Sequence, residues 1–114
     1  MKAKNILEVG VASANESSPS ELAMEAEPGH IVFPTAGFLW KTIWGGRCDL
    51  IEAMAGKGPM SLRAAARLVG KDVKTVHGDA HALLRNGILK KNSKGQIVFP
   101  YDAIHMDFTV PAAA

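Results

Sequence analysis

The sequence predicts an α+β fold of winged helix-turn-helix type: three to four short helices plus a small antiparallel sheet that includes a wing hairpin. Three observations predict it. Residues 61–86 read as two short amphipathic helices around a tight turn that contains glycine. After them the hydrophobic period falls from 3.6 to 2 across a turn-forming tetrapeptide. The cations crowd into the same stretch. Residues 57–95 hold nine lysines and arginines against two aspartates, a net of +7, whereas residues 1–34 hold two lysines against five glutamates, a net of −3. A basic block that coincides with a helix-turn-helix is the footprint of a polyanion binder.

The 114 residues suffice for one small domain with a modest core. Residues 1–34 are expected to form a loosely attached acidic arm, 35–110 the folded domain and 111–114 a frayed tail. Within the arm, Asn5–Val11 suits a short strand and Ala12–Ser20, rich in Asn, Ser and Pro, a loop. Ser20–Ala26 has the composition of two helical turns, ended by Glu27-Pro28-Gly29, and His30–Phe33 of a second strand. Thr35–Ala55 is apolar with helical spacing, and Gly45-Gly46 divides it into two helices. Trp40 and Trp44, one turn apart, are expected to pack on the core or on a dimer partner.

Ser61 precedes the run Leu62–Val69, where its hydroxyl caps the first turn. Leu62, Ala65, Ala66 and Val69 form one apolar stripe, and Gly70 supplies a left-handed end. Asp72 caps the second helix, Val73–Asn86, whose apolar stripe is Val73, Val76, Ala80, Leu83 and Leu84. Opposite that stripe fall Lys74, Thr75, Gly78, His81, Ala82 and Arg85, with His77 on the flank. Ile88–Lys91 and Gln96–Phe99 then flank Asn92-Ser93-Lys94-Gly95, a hairpin with the length of a wing. Pro100 stops it. Ile104–Val110 alternates, with Ile104, Met106, Phe108 and Val110 expected to face inward, as at a sheet edge or a dimer interface.

A helix lying in a major groove needs long cationic or hydrogen-bonding side chains near its N-terminus, with small residues where the groove is tight. Lys74, Thr75, Gly78 and His81 meet that description, with Lys71 and Arg85 at the borders and His77 alongside. Arg63 and Arg67 on the first helix, and Lys90, Lys91 and Lys94 on the wing, are placed for phosphates. The chain has no run of about 18 apolar residues, so no membrane partner is expected. Lone Cys48 excludes an internal disulfide and fits a reducing, cytoplasmic setting. His77 and His81 share zinc-ligand spacing but no third ligand accompanies them, so neither a metal nor another cofactor is expected. No nucleophile–base pair or phosphate loop is present, which argues against an enzyme.

Several motifs together resemble a prokaryotic winged-helix family of DNA-binding regulators that includes antitoxins of the TumA type. They are Gly58-Pro59-Met60-Ser61, Ala65-Ala66-Arg67 and Gly70-Lys71-Asp72-Val73-Lys74-Thr75-Val76-His77. The likeness continues through Ala82-Leu83-Leu84, Gly87-Ile88-Leu89 and Gly95–Asp102, and closes with Ile104-His105 and Asp107-Phe108. The resemblance implies a sequence-specific, homodimeric regulator of transcription acting on double-stranded DNA. It further implies an antitoxin-like autorepressor of a toxin–antitoxin operon, with a cognate toxin as protein partner. A stand-alone winged-helix regulator, or a winged-helix interaction module without a toxin, is the alternative.

Overall fold

The computed structural model describes residues 5–12 and 23–107. Three strands come first: β1 (Ile6–Val11), β2 (Met24–Glu27) and β3 (His30–Phe33). Four helices follow: α1 (Ala36–Ile43), α2 (Gly46–Met54), α3 (Leu62–Val69) and α4 (Val73–Arg85). The hairpin β4 (Lys90–Lys91) and β5 (Ile97–Val98) precedes a last strand, β6 (Ala103–Met106). The fold is α+β, with four helices, a small mixed sheet and an antiparallel hairpin, and it is compatible with a winged helix.

The local punctuation acts where the sequence places it. Ser61 Oγ accepts a hydrogen bond from the Ala64 amide at 3.1 Å and opens α3. Gly70 ends α3 in the left-handed region, at φ 73°, with its amide on the carbonyls of Ala66 and Arg67. Gly45, at φ 62°, separates α1 from α2. Leu39, Ile43, Leu50, Ile51 and Met54 from these helices join Ala65, Ala66, Val76, Ala80 and Leu83 in one buried core.

The sheet departs from expectation in three ways. Its order is β2-β3-β1-β6, and β1 runs parallel to both neighbours, so it is mixed and only its β2–β3 pair is antiparallel. Residues 24–27 form a strand instead of helical turns, because the turn at Pro28-Gly29 folds them back as a hairpin onto β3. The N-terminal region is not a loose arm: Leu7, Val9, Ile31 and Phe33 lie within the common core, alternating inward as half-buried strands must. Residues 13–22, which hold most of the predicted loop Ala12–Ser20 and the start of the predicted helical turns, together with Phe108, Val110 and the predicted tail (111–114), fall outside the described residues.

Edge strand β6 is tied to β1 by the register Leu7↔Ile104 and Val9↔Met106. Ile104 is half-buried, whereas Met106 is exposed. Beside β6, the Asp102 amide donates to the Asn5 carbonyl at 2.7 Å and Asn5 Nδ2 donates to the Pro100 carbonyl at 2.8 Å. Trp40 and Trp44 are not core residues. They are 52% and 62% exposed and lie against each other, ring centroids 4.7 Å apart.

Candidate nucleic-acid interface

Helix α4 starts at Asp72, whose Oδ2 accepts from the Thr75 amide at 3.2 Å while Oδ1 accepts from the Thr75 hydroxyl at 2.6 Å. Those two bonds, the hydroxyl's first, hold the Asp72 carboxyl below its ordinary range. Thr75 is therefore occupied as part of the cap. Its hydroxyl proton is not available to a base edge unless the cap is broken.

From this start the 100° spacing sorts the remaining side chains. Val76, Ala80 and Leu83 are buried. Lys74, His77, Gly78, His81 and Arg85 are all exposed and fall within one sector of the helix. Gly78 has nothing within 4 Å of where a Cβ would lie, so the helix has a shallow notch between Lys74 and Arg85. Ala82, expected on this outer face, is instead buried. The next turn explains why. Asn86 Nδ2 donates to the Ala82 carbonyl at 2.8 Å and Asn86 Oδ1 accepts from the Ala23 amide at 3.0 Å, drawing the N-terminal sheet against that end of α4.

His77 and His81 stack, with ring centroids 5.4 Å apart. They line a groove whose far side is formed by Lys91 and Gly95 of the hairpin, with Leu62, Ala80 and Leu84 at its floor. The hairpin is held rigidly. Asn92 Oδ1 accepts from the amides of Lys94 and Gln96 at 3.0 and 2.9 Å, and Gly95 takes φ 79°. Met60 and Ile97 exchange two backbone bonds of 2.9 and 2.8 Å, fastening the hairpin to the segment that leads into α3. Lys91 and Lys94 stand exposed on it.

On α3, Arg63 and Arg67 are exposed and line a cleft with Lys71 and Val73 across the turn. Lys71 also reaches toward the start of α2: its Nζ occupies the space where a Gly46 side chain would be, near Asp79 Oδ2 on the flank of α4. Lys90 is also diverted, with Nζ 3.4 Å from Glu25 of β2. Of the twelve predicted positions, Lys74, His77, Gly78, His81 and Arg85 share the outer sector of α4, Lys91 and Lys94 stand on the hairpin and Arg63 and Arg67 line the α3 cleft, while Thr75 serves the cap, Lys90 the sheet, and Lys71 reaches toward Asp79.

Sequence reasoning missed Arg47. Its Nε lies 3.4 Å from Asp79 Oδ1, and its Nη1 donates to the carbonyls of Lys41 and Thr42, so one guanidinium joins the end of α1 to the outer flank of α4. An arginine beside a helix break carries no signal of such a partner. Among the described residues, no helix is long and apolar enough to cross a membrane.

Four helices and a mixed sheet around one core, with exposed cations on α3, α4 and the hairpin, define a small α+β protein. The chain belongs to the HVO_A0114 family, whose model matches residues 45–106, from the start of α2 to the end of β6. Comparison with curated proteins and with solved structures gives no match.

Proposed function

We propose that this chain is a homodimeric winged-helix regulator that binds double-stranded DNA, with α4 as the recognition helix and β4–β5 as the wing. The supporting observation is the outer sector of α4. Lys74, His77, His81 and Arg85 project together, and none of them is in an ion pair with a described residue. Lys74 and Arg85, held on a helix without an ion pair to a described carboxylate, are left to an external anion. Lys74 and His81 are placed to reach base edges, the Gly78 notch permits close approach, and Arg63, Arg67 and Lys94 reach phosphates on either side.

The test is a gel-shift titration with DNA from upstream of the protein's own gene against a scrambled duplex, at two salt concentrations. Six phosphate contacts per dimer give a slope of log K against log salt of roughly −5. Preference for the native duplex supports autorepression. Equal weak binding to both leaves a general polyanion binder, and no binding to either overturns the reading in favour of a protein-interaction module.

The antitoxin part of the proposal draws on the motif resemblance. Deleting residues 1–34 is not a usable test of a toxin-binding arm, because it removes Leu7, Val9, Ile31 and Phe33 from the core. Co-purification of the full chain with the product of the adjacent gene is the appropriate experiment. Failure to co-purify would leave a stand-alone regulator.

A further inference from the structure

The mixed sheet presents two faces. Leu7, Val9, Ile31 and Phe33 point into the core, so by alternation Ile6, Glu8, Gly10, His30 and Val32 point outward. The register aligns these into rows. Crossing the strands in the order β2-β3-β1-β6, the central row reads Glu27, His30, Glu8, His105. Signs alternate along it when the histidines are protonated. Glu27 and His30 approach to 3.6 Å, and Glu8 Oε1 and His105 Nδ1 to 2.6 Å. On one side of this row lie Met24, Val32 and Gly10, and on the other Ile6 and Ala103. Met24 is 67% exposed and Ile6 40%, so apolar side chains flank the charged row on an open face.

An alternating row of four has a symmetry property. Rotation by 180° about an axis parallel to the strands, through the middle of the row, reverses its order. Glu27 of one copy then faces His105 of the other, and His30 faces Glu8, so every facing pair is opposite in sign. The apolar rows stay level with themselves. The strands of the two sheets remain aligned, as in face-to-face sheet packing.

We infer that this outward face is the docking surface for a second copy of the chain, paired about a two-fold axis running along the strands. The inference rests on the dimeric half of the function proposed above and not on DNA binding. It makes the dimer proton-dependent. His30 is faced by Glu27 and Glu8, and His105 by Glu8 and Asp107. With neutral histidines the docked face holds carboxylates without countercharges, which opposes association. The hydrogen bond that His105 donates to Glu8, then the charges of Glu8 and Asp107, raise the His105 pKa, extending the protonated form upward in pH. A face four strands wide is small beside the ~800 Å² per partner of a standard interface, so the dimer is expected to exchange with monomer at micromolar concentrations.

Sedimentation equilibrium of the full chain, from about 5 to 500 μM, at pH about 5.5 and 8.5, tests this directly. Association is expected to be about tenfold tighter at the lower pH. Glu27→Lys places like charges opposite His105 of the other copy, and His105→Glu places like charges opposite Glu27. Each variant alone is expected to be monomeric where the parent is dimeric; Glu27→Lys keeps the parent's circular dichroism because Glu27 is exposed, whereas His105→Glu also sets a second carboxylate beside Glu8 of its own chain and is therefore read through the mixture. An equimolar mixture of the two restores opposite signs at both ends and is expected to recover the dimer. A parent chain monomeric throughout, variants that dimerise unchanged, or a mixture that stays monomeric would overturn the inference. Gel shifts on the same samples separate the two readings. Specific DNA binding by a monomer sinks the docking face alone, whereas a dimer that ignores DNA sinks the regulator alone.

Discussion

On the outward face of the sheet each ionisable side chain of the central row has a neighbour of opposite kind, whereas on the outer sector of α4 Lys74 and Arg85 form no ion pair with a described residue. Both regions are polar and exposed, yet they differ in what they leave unsatisfied. A row that is already paired gains from another molecule only if that molecule repeats its alternation. A row of one sign gains from any polyanion that fits. Composition alone does not separate these cases. The positions of four residues on four strands do.

The first way to break the contrast is to show that the sheet is an appendage. Phe33 is fully buried between the sheet and α1, its ring 5.9 Å from that of Phe38. Phe33→Ala is expected to destabilise the whole chain by ~3–5 kcal/mol in denaturant unfolding. A change near zero, or separate transitions for sheet and helices, would mean two independent units. Next in size is Asn86→Ala. It removes the partner of the buried-side Ala23 amide and is expected to cost ~1–3 kcal/mol.

Two of the three hairpin lysines sharpen the contrast. Lys94→Ala is expected to weaken binding to all duplexes alike and to flatten the salt slope by about 1. Lys90→Ala is expected to do less, because Glu25 already holds that ammonium. Altered sequence preference in Lys94→Ala, or equal effects at the two sites, would displace the hairpin from its assigned role.

The smallest effects are in pH, and their signs are opposite. The pKa of Asp72 is lowered on folding, so the α4 cap contributes above the ordinary carboxylate value and is lost as pH falls through the folded value. The pKa of His105 is raised, so its bond to Glu8 contributes below the ordinary histidine value, about 6.5, and is lost as pH rises through the folded value. Amide exchange should therefore show α4 opening first in acid and the β1–β6 pair loosening first toward alkaline pH. Asp72→Asn should abolish the former while keeping the cap, and Glu8→Gln the latter.

What the sequence made legible was local. Ser61, Gly70, Asp72 and the Asn92–Gly95 turn each state a backbone conformation within a few residues, and α3, α4 and the hairpin stand where they indicate. The division at Gly45-Gly46 was equally plain. Strands β1, β3 and β6 were legible as short extended segments, but their pairing was not, because it joins residues up to 97 positions apart, and β2, exposed along its whole length, has no apolar alternation to read. Propensity in Met24–Glu27 favoured helix, and pairing with β3 overrode it. In the candidate interface, Lys74, His77, His81 and Arg85 followed from helical spacing alone. Lys71, Lys90 and Ala82 did not, since each is governed by a neighbour distant in the sequence, and Thr75 did not because its hydroxyl turns back onto the Asp72 cap of its own helix.

The parallel pairing of β1 with β6 sets an order of events during synthesis. As the chain emerges from the ribosome, β1 appears among the first described residues, but its edge toward β6 stays unpaired until residue 106 has been made. The helices and hairpin, whose contacts are nearer in sequence, assemble while that edge is still open, since the loop to be closed is the longest among the described strand pairings. For that interval Leu7 and Val9 border an incomplete sheet, so newly made chains are at their most adhesive until β6 has been added.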